Sequence, residues 1–210
     1  PYAIPVSGTE YSLARITPAV LRRYHDDQVV KSRMLLVVVG NVPRAQIARL
    51  VTQSLGRLND GAYRWTLPDT LPRTRAAAVT VDRSLPTNYI LGKYPGPLAG
   101  TRDYQALRVA TAVLAGQLFG EIRSRRNLTY AVDAPFTERA VASGGLYVST
   151  VSPDLTITLM RQELDDLKSG YVDPDALERL IQQFITEYFM QNETAAEQAD
   201  FLARAQLYQG

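Results

Sequence analysis

Leu118-Phe-Gly-Glu-Ile-Arg-Ser-Arg-Arg-Asn-Leu-Thr-Tyr-Ala-Val132 reads as a short amphipathic helix that runs into a strand. Beyond it Tyr130, Val132, Ala134 and Phe136 alternate with smaller or polar residues, and Leu146, Val148 and Thr150 repeat that period after Gly144-Gly145. A period of two on either side of a glycine pair predicts antiparallel strands with a turn around residues 142–145. Upstream, Thr101 caps a helix whose Leu107, Ala110, Thr111, Leu114 and Leu118 share one face, so two helices are expected to meet near Gly116. Before them, residues 76–83 and 88–94 read as two short strands around Ser84-Leu-Pro-Thr87, ending at Pro95-Gly-Pro97. Downstream, Ser152-Pro153 starts a helix with Ile157, Met160, Leu164 and Leu167 inward. Asp173-Pro174 starts another with Leu177, Leu180, Ile181, Phe184 and Tyr188 inward, and a third runs from about Glu193. Runs of antiparallel strands separated from runs of helices indicate an α+β, two-layer sandwich with the sheet packed against helices.

The N-terminal part carries its own pattern. Thr17-Pro18 is an N-cap followed by proline at the first helical position, and Val20, Leu21 and Tyr24 form a stripe. Residues 34–40, Met-Leu-Leu-Val-Val-Val-Gly, are a β-branched apolar run of strand length, and Ile47, Leu50, Val51 and Leu55 recur on a helical face that stops at Gly56. Helix, strand and helix are thus expected over residues 17–56. Residues 57–75, with Gly61, Pro68 and Pro72 and no sustained period, mark a connection between two structural units.

Composition restricts the function classes. The 210 residues hold one histidine and no cysteine, which removes disulfides, thiolate nucleophiles and the usual nitrogen and sulfur metal sites. A hydrophobic fraction of 46% with 21% charged residues is that of a globular chain, and no apolar run approaches the ~20 residues of a membrane span. Net charge is +2, but residues 161–210 hold ten acids and four bases, leaving about +8 on the first 160 residues. The arginines are scattered and no nucleic-acid motif accompanies them, so acidic solvent faces on C-terminal helices account for the asymmetry better than a nucleic-acid surface. The chain begins at Pro1 without a signal-like stretch and reads as an excised piece, which leaves the compartment open between extracytoplasmic (periplasmic) and cytoplasmic.

Arg123 and Tyr130, seven residues apart, resemble the arginine/tyrosine motif in the non-catalytic half of the pitrilysin, insulinase and mitochondrial processing peptidase family of zinc metallopeptidases. The resemblance extends over residues 2–10 with Ile16-Thr-Pro18, residues 35–42, 88–92, Tyr104-Gln-Ala-Leu107, 118–132, 144–150 and 170–180. It implies that residues 1–60 are the C-terminal part of a preceding α+β unit with its connector. Residues 75–210 are then most of the following, non-catalytic, substrate-binding domain, lacking its last strand or strands. It further implies that Arg123 and Tyr130 reach toward a substrate held at zinc in a complementary half bearing His-x-x-Glu-His. A tyrosine hydroxyl can donate to a carbonyl oxygen as it becomes negative, and an arginine presents several donors in a fixed fork. This chain lacks His-x-x-Glu-His, holds no cofactor of its own in this reading, and is expected to be inactive alone. Its partners would be that catalytic half, in the same native chain or a separate subunit, and a peptide substrate.

Other residues invite weaker readings. His25 beside Asp26 and Asp27 lacks a ligand spacing and fits a solvated helix end; Arg125 and Arg126 fit exposed positions better than contacts to an acidic peptide. Gly144-Gly145 is either a plain turn or a place where an extended peptide approaches a strand edge. Asn127-Leu-Thr129 and Asn192-Glu-Thr194 are formal glycosylation sequons of a kind that arises by chance. Two further functional readings stand beside the peptidase half: a structural or assembly subunit of the same fold, as core subunits of a respiratory complex are in this family, and a small-molecule-binding α+β domain with a deep apolar pocket.

Overall fold

Side-chain caps set the first elements. Thr9 and Ser12 form a capping box at the head of α1 (Glu10–Ala14), and the Thr17 hydroxyl accepts from the Val20 amide at 3.3 Å at the head of α2 (Pro18–Gln28). A single 3-10 turn, Lys31–Arg33, and α3 (Arg44–Leu55) follow. These lie in the first of two units, Pro1–Thr66 and Leu67–Gly210, of the computed structural model, which describes residues 6–67, 69, 75–170 and 172–209. Residues 2–5 of the expected connector, and Pro68 and Pro72 of the expected linker, fall outside the described residues.

The strand expected at residues 34–40 forms no ladder. Its composition suits a buried strand, but among the described residues no strand pairs with it, and Met34, Leu35, Leu36 and Val38 stay exposed. The preceding turn is held to residues 59–63 instead. Lys31 and Ser32 amides donate to the Asn59 and Asp60 carbonyls, Lys31 Nζ lies 2.8 Å from Asp60 Oδ1, and the Arg33 guanidinium lies 3.9 Å from the centre of the Tyr63 ring. Val30 is the one buried residue among those described in this unit.

In the second unit β1 (Asn88–Leu98), β2 (Thr129–Asp133), the two-residue β3 (Phe136–Thr137) and β4 (Val141–Thr150) form an antiparallel sheet in the order β1-β4-β2, with β3 also paired to β4. Val148 faces Ile90 on one side and Val132 on the other, while Gly144 faces Tyr94 and Phe136. Residues 76–83 do not form the expected pair with β1. Val79 and Val81 remain exposed, whereas pairing of β1 with β4 places Ile90 against the core. β1 also passes the expected break at Pro95, because the register shift between Pro95 and Leu98 accommodates a residue that has no N–H to donate. The turn expected at residues 142–145 lies at residues 138–140, and both glycines are inside β4.

Thr101 caps α4 (Arg102–Leu118) as expected, its hydroxyl accepting from the Tyr104 amide at 3.3 Å. No break occurs near Gly116: α4 continues into a π-helix, Phe119–Arg125. α5 (Pro153–Ser169) and α6 (Pro174–Met190) begin at their predicted prolines, and α7 (Ala195–Gln209) begins close to the expected Glu193. Leu114, Leu118 and Ile122 pack with Leu159 and Met160 of α5 against Val148 and Ala134, with Ile90, Val132 and Leu146 at the rim. One sheet face and its covering helices therefore make the core, which is the α+β sandwich the patterning predicts. Among the described residues, no helix is long and apolar enough to cross a membrane.

Candidate functional site

Two backbone irregularities position Arg123 and Tyr130. Leu118 and Ile122 are fully buried and anchor the inner side of the π-helix, while the widened turn carries Arg123 along its outer side. The Arg123 guanidinium carbon lies 4.9 Å from the centre of the Phe119 ring and 4.7 Å from that of Tyr130. The turn closes at Asn127, in the left-handed region at φ 51, where the Asn127 amide donates to the Arg123 carbonyl at 3.1 Å and the Leu128 amide to that of Ile122 at 3.0 Å. Asparagine tolerates this conformation better than most residues.

The second irregularity is a β-bulge. Thr129 is opposite Thr150 but Ala131 is opposite Ser149, so Tyr130 is the extra residue of β2. The Thr129 hydroxyl accepts from the Ala131 amide at 3.0 Å and fastens the bulge across Tyr130. Thr150 Oγ1 donates to the Leu128 carbonyl and lies 3.0 Å from Thr156 Oγ1, tying the entrance of β2 to the ends of β4 and α5. Tyr130 is consequently 82% exposed, at an open cleft of about 500 Å³ bordered by Thr87, Arg123, Asn127, Leu128 and Ser149. Among the described residues, neither the Arg123 guanidinium nor the Tyr130 hydroxyl takes part in a hydrogen bond or ion pair. The cleft thus presents a held cation and a phenol donor side by side, able to bind carbonyl or carboxylate oxygens.

Arg125 and Arg126 are not free to meet a peptide as Arg123 is. Arg125 Nη1 lies 2.8 Å from Glu121 Oε2, and Arg126 Nε donates to Glu121 Oε1 at 2.6 Å. Glu121 is 7% exposed, and its bond from Arg126, with the charges of both arginines, holds its carboxyl below the usual range against the cost of burial. On α5, burial first and the neighbouring Glu121 and Asp166 charges second hold the Glu163 carboxyl above the usual carboxylate range. Glu121 was not singled out in the sequence, although an acid four and five residues before two arginines is a readable signal.

The remaining sequence candidates lie elsewhere. His25 pairs only with its neighbour Asp26, at 3.1 Å, and among the described residues no group of three or more histidine, cysteine, aspartate or glutamate side chains could hold a metal. Gly144 is paired on both sides, with Tyr94 of β1 and Phe136 of β3, and Gly145 pairs with Lys93 of β1 and is buried, so neither glycine offers an open edge. Asn127 ends a helix, and the Thr129 hydroxyl of its sequon is engaged within the bulge. A larger cavity of about 690 Å³ lies among α4, α6 and α7, bordered by Tyr104, Arg108, Glu138, Tyr188, Phe201 and Arg204. Arg108 pairs with Glu138 and Arg204 with Asp200, so it is not the deep apolar pocket that the small-molecule reading requires.

Residues 15–184 match the family described as the peptidase M16 inactive domain. A peptidase M16 inactive domain from Pseudomonas fluorescens is 20% identical with a TM-score of 0.82, covering 99% of this chain and 51% of its own. A protease from Helicobacter pylori is 14% identical with a TM-score of 0.80 over 96% of this chain and 52% of its own. Complex III2 from Candida albicans, solved with Inz-5 bound, contains a chain 17% identical with a TM-score of 0.78 over 98% of this chain and 52% of that one. The present chain therefore spans about half the length of the solved chains it resembles. No curated protein matches.

Proposed function

Since this chain belongs to the peptidase M16 inactive-domain family, we propose that it is the substrate-binding, non-catalytic half of a zinc-dependent metalloendopeptidase and completes the active site of a half bearing His-x-x-Glu-His. The observation that carries the reading is the convergence of Arg123 and Tyr130 on one open cleft with their polar ends unbonded among the described residues. The chain's own residues do not fit zinc, with one histidine, no cysteine and no ligand cluster among the described residues, so the metal is assigned to the complementary half. Tyr130 donates its hydroxyl proton in a hydrogen bond to the scissile carbonyl oxygen as charge develops there, and Arg123 holds an adjacent peptide carbonyl or carboxylate. The Arg123 stack on two rings fixes its plane before substrate arrives, which lowers the ordering cost of binding.

The test is peptide hydrolysis by the zinc-bearing half mixed with wild-type or variant chain, with circular dichroism as the folding control. Tyr130→Phe removes a hydroxyl that has no partner among the described residues, so turnover falls by roughly 10²-fold, about 2.7 kcal/mol of transition-state stabilisation, with the spectrum unchanged. Arg123→Ala weakens peptide binding as well as turnover. Unchanged hydrolysis in both variants overturns the reading. It would leave ahead a structural or assembly subunit of the same fold, which the Candida albicans complex matches about as well as the proteases do.

A further inference from the structure

The motif turn from Phe119 to Asn127 carries three arginines and one acid, and they are not used alike. Glu121 is buried on the inner side of the π-helix and binds Arg125 through one carboxylate oxygen and Arg126 through the other. Those arginines are themselves largely solvent-facing, so Glu121 is the fixed member of the triad. The arrangement spans the last turn, from the residue before Ile122 to the residue before the left-handed Asn127. Arg123, between them, has no carboxylate partner among the described residues and stacks on Phe119 and Tyr130.

A π-helix is less favourable than an α-helix and persists where surrounding contacts favour it. Reverting this turn to α geometry would rotate Arg123 away from the ring of Tyr130. Glu121 is placed to oppose that reversion, because both its oxygens are committed to side chains at positions four and five residues later. The same commitment keeps two competing guanidinium groups away from the cleft that Asn127 and Tyr130 border.

We infer that Glu121 is the positioning residue of the Arg123–Tyr130 pair: by clamping Arg125 and Arg126 it holds the π-turn that sets Arg123 over Tyr130 and leaves Arg123 as the cation of the turn with no carboxylate partner among the described residues. This deepens the proposed function, on which its relevance to peptide binding rests, but the positioning itself is measurable without catalysis.

The experiment uses the 210-residue chain, labelled with carbon-13 in its tyrosine rings. The Tyr130 ring signal is assigned from its loss in Tyr130→Phe, and Arg123→Ala gives the position of that signal without the overlying guanidinium. Glu121→Gln keeps the side-chain volume and removes the charge; its Tyr130 signal should move most of the way to the Arg123→Ala position while the Tyr104 and Tyr147 signals stay. Arg126→Gln, at a half-exposed position that should not endanger folding, removes one arm of the clamp and should move the Tyr130 signal in the same direction. A Tyr130 signal unmoved in Arg126→Gln, or in a folded Glu121→Gln, overturns the inference. Hydrolysis with the zinc-bearing half separates the two claims. If the signal moves in the Glu121 variant yet Tyr130→Phe hydrolyses normally, the positioning stands and the peptidase reading falls.

Discussion

Gly144→Ala places a methyl group where the ring of Tyr94 lies. The added carbon would sit 2.2 Å from Tyr94 Cζ and 2.3 Å from both Cε2 and Oη, against the ~3.5–4.0 Å of an ordinary carbon contact. The ring must therefore retreat by about 1.5 Å or swing out. Gly144 is opposite Tyr94 in the β1-β4 register and is flanked by β3 on its other side, so the strand cannot yield in its own plane. A tyrosine buries roughly 150–250 Å² when enclosed, and Tyr94 is half-buried; surrendering about 100 Å² at ~25 cal/mol per Å² costs about 2.5 kcal/mol. Strain in place of exit falls in the same range of ~1–3 kcal/mol. At about 2–4 °C per kcal/mol for a chain of this size, the melting temperature should drop by roughly 2–12 °C. The assay is thermal and urea unfolding of Gly144→Ala, Tyr94→Ala and the double variant. Because Tyr94→Ala vacates the space, the double variant should be more stable than the sum of the single losses predicts, by about 1 kcal/mol or more. Gly145→Ala is the control: its carbon would meet the Gly92 carbonyl oxygen at 2.9 Å and Pro135 Cγ at 3.2 Å, so Tyr94→Ala should not relieve it. A Gly144→Ala chain melting with wild type, or an additive cycle, would refute this account of why β4 needs the glycine.

Glu163→Gln should stabilise the chain near neutral pH and do so less as pH falls. The folded carboxyl is shifted upward by burial and by Glu121, so its proton is held more tightly in the fold; that stability is complete below the unfolded value and lost as pH rises through the folded one. Urea midpoints for both chains from pH 3 to 8 check it, and a gap that widens toward acid contradicts it. Zinc analysis after dialysis should find well under one metal per chain, because one histidine and no cysteine cannot supply the usual set of about four ligands; a stoichiometric metal would place the catalytic site here.

The sequence revealed the second unit's helices well because each start is marked by a side chain with a local job. Thr101 accepts from an amide three residues on, and Pro153 and Pro174 occupy first-turn positions where no N–H is needed. Strand pairing was less legible, since it depends on distant segments. Residues 34–40 have a strand's composition without a described partner, and residues 76–83 looked like the neighbour of β1 when β4, some fifty residues later, was. Gly144-Gly145 misled for a related reason. Locally the pair signals a turn, but its cause is the Tyr94 ring crossing from the adjacent strand, which no window around the glycines contains.

The site shows the same limit from another side. The family resemblance paired Arg123 with Tyr130 in the sequence, yet a regular helix followed by a regular strand would not account for their contact. Arg123 is carried by a π-turn and Tyr130 is the surplus residue of a bulge, and both departures are held by polar side chains: Glu121 through two arginines, Thr129 through its own strand. Each device presents one side chain outward while its supporting group is buried, with Tyr130 open to solvent and Thr129 covered, Arg123 without an ion pair among the described residues and Glu121 saturated. Irregular backbone of this kind lowers stability unless neighbours favour it, so its concentration in one fifteen-residue stretch, residues 118–132, argues that the stretch is shaped by what it presents more than by the packing it completes.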